Sequence, residues 1–139
     1  MELRPYQREC IETIKAQAPG AYLAQMATGL GKTVTFANIP RHGERMRILS
    51  HREELVDQPR KYFDCTYGIE RASSRSHGEE AVSASVQSLV RRLDRFRPDD
   101  FRLIICDEAH HAAARTYRAI FDYFRPEKLI GFTATHNRG

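Results

Sequence analysis

The sequence predicts a three-layer α/β domain, a mainly parallel sheet flanked by helices. Three observations predict it. Short apolar runs of strand length alternate with helix-period stretches along the whole chain, the pattern of βαβ units. A glycine-bearing turn, "MATGLGKT", lies between one such run and the next helix. A second run, "FRLIICDEAH", is apolar up to Cys106 and then acidic, as a buried strand with a polar C-terminal tip is. The length of 139 residues suits one domain, 1–139, and a chain near this size buries roughly 68–70% of its unfolded surface.

Each element has a local reason. Pro5 fits the first turn of a helix, where a missing N–H costs little. Tyr6, Cys10, Ile11, Ile14 and Ala18 follow at helical spacing, and "APG" at 18–20 stops the helix. "AYLAQM" reads as a buried strand, the glycine turn follows, and "KTVTFANIPRH" reads as a helix. "MRILS" is a strand. "REELVDQPRKYF" is a helix with a kink or break at Pro59. "CTYGIERASSRSHGEE" reads as a loop around one short strand near Tyr67–Glu70. "AVSAS" is a strand and "VQSLVRRLDRF" a helix, ended by a turn at Pro98 and Asp99. After the acidic-tipped strand comes a helix near Arg115–Phe124, and "KLIGFTAT" is the last strand. No repeat, low-complexity tract or linker interrupts the series.

Composition narrows the classes. Lys and Arg number 22 against 18 acids, a formal charge of +4, compatible with a polyanionic partner but common among soluble proteins. The basic stretch "VRRLDRFRP" reads as a solvated helix face with a basic end. Three cysteines without CxxC spacing argue against a disulfide framework and for a reducing, cytoplasmic setting. No apolar run approaches the ~18 residues of a membrane span. The N-terminus also lacks the apolar core of a signal peptide, so no membrane association is expected. His77, His110, His111, His136 and Cys106 have no finger-like spacing, which argues against zinc.

The glycine turn has the chemistry of a phosphate loop. Gly29 and Gly31 let backbone N–H groups face phosphate oxygens, and the helix start adds positive potential. Lys32 would reach the β- and γ-phosphates, and the Thr33 hydroxyl would ligate Mg²⁺. The strict pattern asks for Gly five residues before Gly31, where this chain has Met26. That position only starts the turn, so the change removes no phosphate contact. In a parallel sheet ligands bind beyond the C-terminal ends of strands, where Asp107 and Glu108 also fall. Asp107 suits a Mg²⁺ ligand, direct or through water, and Glu108 a general base. Arg4 and Gln7, three apart on one helical face, could stack on and hydrogen-bond a base.

Taken together, these stretches resemble the first RecA-like domain of superfamily 2 DEAD/DEAH-box helicases, a P-loop NTPase fold. The branch is the restriction-enzyme type, where Met is familiar in place of the first loop glycine. "LRPYQREC" resembles the Q motif, "MATGLGKT" motif I, "LSHREEL" motif Ia, "ASVQSL" the motif after it, "DEAHH" motif II and "GFTAT" motif III. The resemblance implies ATP and Mg²⁺ as cofactors. It assigns adenine to Arg4 and Gln7, and phosphate to Thr28, Gly29, Leu30, Gly31, Lys32 and Thr33. Lys32, Asp107, Glu108 and His110 would be catalytic, and Thr133 and Thr135 would couple them to motif III. His51, Arg52, Ser85 and Gln87 would lie along nucleic acid, DNA rather than RNA. His136 stands where the family usually has Pro. Motifs IV to VI, with an arginine finger, are not in these 139 residues. The expectation is therefore a motor half that needs a second RecA-like domain, in cis or in trans. A non-catalytic nucleotide- or nucleic-acid-binding module is the alternative, and a P-loop phosphotransferase would leave motif II unexplained.

Overall fold

The computed structural model describes residues 3–26, 29–41, 44–50, 56, 58–71, 73–107 and 115–134. Six strands form one sheet: β1 (Gly20–Met26), β2 (Met46–Ser50), β3 (Tyr67–Glu70), β4 (Ala81–Ser85), β5 (Leu103–Asp107) and β6 (Lys128–Ala134). Their spatial order is β1-β6-β5-β2-β4-β3, and every pairing is parallel. The helices are α1 (Pro5–Ala16), α2 (Gly29–Ala37), α3 (Val86–Leu89) and α4 (Arg115–Tyr123).

Two cores result, one on each face. Adjacent residues of a strand point to opposite faces, so Ile48 and Ile105 pack with Ile11, Ile14 and Phe36 of α1 and α2. Their neighbours Leu49 and Ile104 pack with Leu89, Tyr117 and Ile120 of α3 and α4. All five residues of central β2 are buried, as expected where helices cover both faces. Among the described residues no helix is long and apolar enough to cross a membrane.

The structure corrects several boundaries. Helix α2 starts at Gly29, inside the glycine turn, and ends at Ala37 rather than running to His42. Asn38 closes it by donating from its side chain to the Val34 carbonyl at 2.8 Å. Within the stretch expected as a helix before Tyr67, the described part is a 3-10 helix, Gln58–Tyr62, that contains Pro59. The helix expected over 86–96 is the four-residue α3 followed by a separate 3-10 turn, Leu93–Arg95. Its basic end is solvated only in part: Arg91 and Arg97 are exposed. Arg92 and Arg95 turn back to bind Glu70, while Phe96 enters the ring cluster with Phe101 and Phe124. The Tyr123 hydroxyl donates to the Phe96 carbonyl and pins that bend to α4.

Candidate functional site

The site is built where β1 and β5 end. β1 stops at Met26 and α2 opens at Gly29, so the first N–H groups of α2 lack intrahelical partners. They form a positive helix end suited to an anion. Met26 itself is buried in the core beneath α1 and α2, on the same β1 face as Tyr22 and Ala24. That is why a bulky residue is accepted where the strict loop has glycine: its side chain points into the core.

β1 and β5 both pair with β6 and so lie two strand spacings apart, about 10 Å. The Lys32 side chain spans that gap. Its ammonium Nζ stands 3.2 Å from Oδ1 of Asp107, and the two side chains are 7% and 20% exposed. Half-buried Thr133 lies near the tip of the intervening strand, paired in register with Gln25 of β1. Its neighbour Phe132 pairs with Asp107. Lys32, Thr33, Asp107 and Thr133 therefore share one edge of the sheet.

Gln7 ties α1 to this loop. It is buried; its Oε1 accepts from the Arg4 backbone N–H at 2.8 Å, and its Nε2 donates to the Gly31 carbonyl at 3.4 Å. The Thr35 hydroxyl donates to the same carbonyl at 2.6 Å. A carboxamide has two acceptor lone pairs and two donors, so these bonds use half of its capacity. Arg4 is exposed at the start of α1. Cys106, next to Asp107, is no nucleophile: burial first and the charge of Asp107 second push its thiol up to about 12.

The remaining expected residues divide. Gly29 and Leu30 lie in the first turn of α2. Thr28, His51, Arg52, Glu108, His110 and Thr135 lie outside the described residues, as do His111 and His136. Ser85 is buried and its hydroxyl accepts from the Ser88 N–H at 3.2 Å, capping α3, whereas Gln87 is exposed. Sequence reasoning missed two features. One is the carboxylate of Glu70, fully buried among arginines. The other is Arg47, buried in the middle of β2. No local pattern marks either.

This arrangement places the molecule among the RecA-like P-loop domains. Residues 1–138 match the family model described as "Type III restriction enzyme, res subunit", and the chain belongs to that family. It is a first RecA-like domain of the superfamily 2 helicase type, in this branch. A relative in Saccharomyces cerevisiae, IRC3, which carries the name of an ATP-dependent helicase, is 36% identical over 164 aligned residues. The match covers 98% of this chain and 24% of that protein, so the chain spans about a quarter of its length. The UvsW helicase from bacteriophage T4 superposes with a TM-score of 0.78 at 14% identity, over 96% of this chain and 52% of that one. The Sulfolobus solfataricus SWI2/SNF2 ATPase core, solved in complex with dsDNA, gives 0.73 at 16% identity, over 98% and 32%. At such identities the likeness is one of fold.

Proposed function

We propose that this chain is the ATP-binding N-terminal motor half of an ATP-dependent nucleic-acid helicase or translocase, acting on DNA rather than RNA. The observation that carries the reading is the Lys32–Asp107 pair, held across the tip of β6 at the open end of α2. The name of the yeast relative and the DNA in the SWI2/SNF2 complex support it. A reducing compartment such as the cytoplasm suits the free thiols Cys10, Cys65 and Cys106.

The roles follow from the donors present. The N–H groups of Gly29, Leu30 and Gly31 cradle the phosphates, and Lys32 leaves Asp107 for the γ-phosphate. Thr28, next to Gly29 in sequence, belongs to the same phosphate-binding set. Gln7 offers its second acceptor and second donor to the adenine edge, and Arg4 stacks on the ring. Thr33 and Asp107 supply a hydroxyl and a carboxylate, the hard oxygen donors that fit Mg²⁺. Bound there, the ion would neutralise charge on the β- and γ-phosphate oxygens. Glu108 accepts the proton of the attacking water, and His110 links it to Thr133 and Thr135. His51, Arg52 and Gln87 line the nucleic-acid side, and buried Ser85 acts there through the cap it gives the helix that carries Gln87. A second RecA-like domain, in cis or in trans, adds the arginine finger, a contribution of ~10³–10⁵ in rate.

Titration calorimetry of Mg-ATP into the chain and into Lys32→Ala tests the reading, with circular dichroism to check folding. The parent chain binds and the variant does not. A folded variant that binds as tightly as the parent would sink the phosphate-loop assignment.

A further inference from the structure

The two edges of the sheet are finished differently. β3 is four residues long and ends at the charged pair Glu70 and Arg71, where the chain turns back through a bridge between Arg71 and Ser74. Short length and charge are usual guards of an edge strand. β1, at the other edge, is seven residues long, "GAYLAQM", with neither charge nor proline. It pairs with β6 in unbroken register over its whole length, so no bulge twists it away.

The ladder fixes which of its groups face outward. The Gly20 N–H donates to the Glu127 carbonyl at 3.0 Å. Alternate residues of a parallel strand bond to the same neighbour, so Gly20, Tyr22, Ala24 and Met26 serve β6. Ala21, Leu23 and Gln25 turn their N–H and C=O groups away from it, and among the described residues no strand lies on that side. All three residues are exposed. Leu23, at 62%, is one of two exposed large hydrophobics among the described residues. It lies on the face opposite Tyr22 and Ala24, which pack toward α1.

We propose that β1 is a self-association edge, to which a second copy of this chain adds its own β1 antiparallel about a two-fold axis at Leu23. The three outward residues are centred on Leu23 and suit that symmetry. Leu23 faces Leu23 of the second copy, and Ala21 faces its Gln25. A facing pair of this kind exchanges two backbone bonds, so the three pairs make about six. No like charges meet, because the strand has none, and the two leucines cover each other's exposed surface. The pairing consumes β1 in both copies and leaves the guarded β3 edges outside, so the assembly closes at two. An extended foreign segment would find backbone donors there but no charge to select it. Seven residues a side are fewer than the roughly 20–30 of a standard interface, so the pair forms as concentration rises. Antiparallel strands send the two phosphate loops to opposite ends, about 20 Å apart. Pairing therefore leaves each loop open to nucleotide, and the proposal stands independently of the motor reading.

Analytical ultracentrifugation across a concentration series tests this. The mass of the parent chain rises from one copy toward two. Leu23→Lys sets two like charges against each other at the axis and stays at one copy, with circular dichroism and thermal midpoint like those of the parent. Leu23→Cys checks the register. Facing Cα atoms of a hydrogen-bonded pair lie about 5.5 Å apart, within disulfide reach, so oxidation links the copies. Gln25→Cys stands about 15 Å from its counterpart and does not link, nor does the parent with its own Cys10, Cys65 and Cys106. A parent that stays at one copy at every concentration would overturn the proposal. So would a Leu23→Lys variant that pairs like the parent, a mass climbing past two copies, or cross-linking in Gln25→Cys but not in Leu23→Cys.

Discussion

Two carboxylate–cation clusters stand on one edge of this sheet, and they differ in what breaking them costs. Asp107 meets Lys32 at 3.2 Å and keeps 20% of its side chain in solvent. Glu70 has no exposure and accepts from Ser76, Arg92 and Arg95. Water can take over from Lys32 when a ligand draws it away, so the first pair can open. Opening the second strands a charge in the dry end of β3. The comparison teaches that similar ion pairs on one fold can be a latch or a rivet, and that burial with full hydrogen bonding decides which.

The largest expected effect breaks the rivet. Glu70→Ala removes the acceptor of two guanidiniums, one of them only 13% exposed, and leaves the Ser76 N–H without its partner. Removing one member of a buried pair costs about 3–5 kcal/mol. Lys32→Ala leaves Asp107 partly hydrated, so about 1 kcal/mol or less is expected. Urea denaturation of both variants measures the gap; equal losses would erase the distinction.

Acid should separate the clusters next. Burial pushes the Glu70 carboxyl up, but the Ser76 N–H and hydroxyl with the guanidiniums of Arg92 and Arg95 outweigh it and hold the group below its ordinary 4.5. The folded state therefore releases this proton more readily than the unfolded state. The contribution is complete above pH 4.5 and is lost as pH falls through the folded value. Urea midpoints from pH 7 down to 3 should show a steepening loss that Glu70→Gln flattens. An identical acid limb in the variant would remove Glu70 from the account.

The latch was legible in the sequence and the rivet was not. Gly29, Gly31, Lys32 and Thr33 are tied to one turn, and Asp107 to the end of an apolar run, so local pattern locates them. Parallel pairing then brings them together with no further information. Glu70 and Arg92 are 22 residues apart and meet only because the expected helix over 86–96 breaks after Leu89. Propensity favoured continuing that helix; the packing of Phe96 on Phe101 and Phe124 overrode it. Ser85 shows the same limit. Its position was readable, whereas its burial as the cap of α3 depends on the sheet around it.

Arg47 offers the smallest effect and the finest discrimination, because it is a buried cation with neither latch nor rivet. Its guanidinium has no hydrogen-bond partner among the described residues. Rings surround it instead, with centroids at 4.1 Å for Phe101, 4.4 Å for Phe96 and 5.4 Å for Phe124. Burial, opposed by the charge of Glu70, lowers its pKa from 12.5 to about 9. That shift corresponds to about 5 kcal/mol against the charged form. Cation–π attraction of roughly 2 kcal/mol from each of the two nearer rings offsets most of it. The two effects oppose each other and are of similar order. Arg47→Met keeps an unbranched apolar stem among the rings and removes the charge that burial opposes, so a neutral or slightly stabilising change is expected. Arg47→Ala would instead lose the packing of the stem and open a cavity, and should destabilise. Thermal denaturation separates the two variants. A loss of about 3 kcal/mol or more in Arg47→Met would show that the rings bind the cation more strongly than burial opposes it, making Arg47 a second rivet held by aromatic faces rather than by a carboxylate.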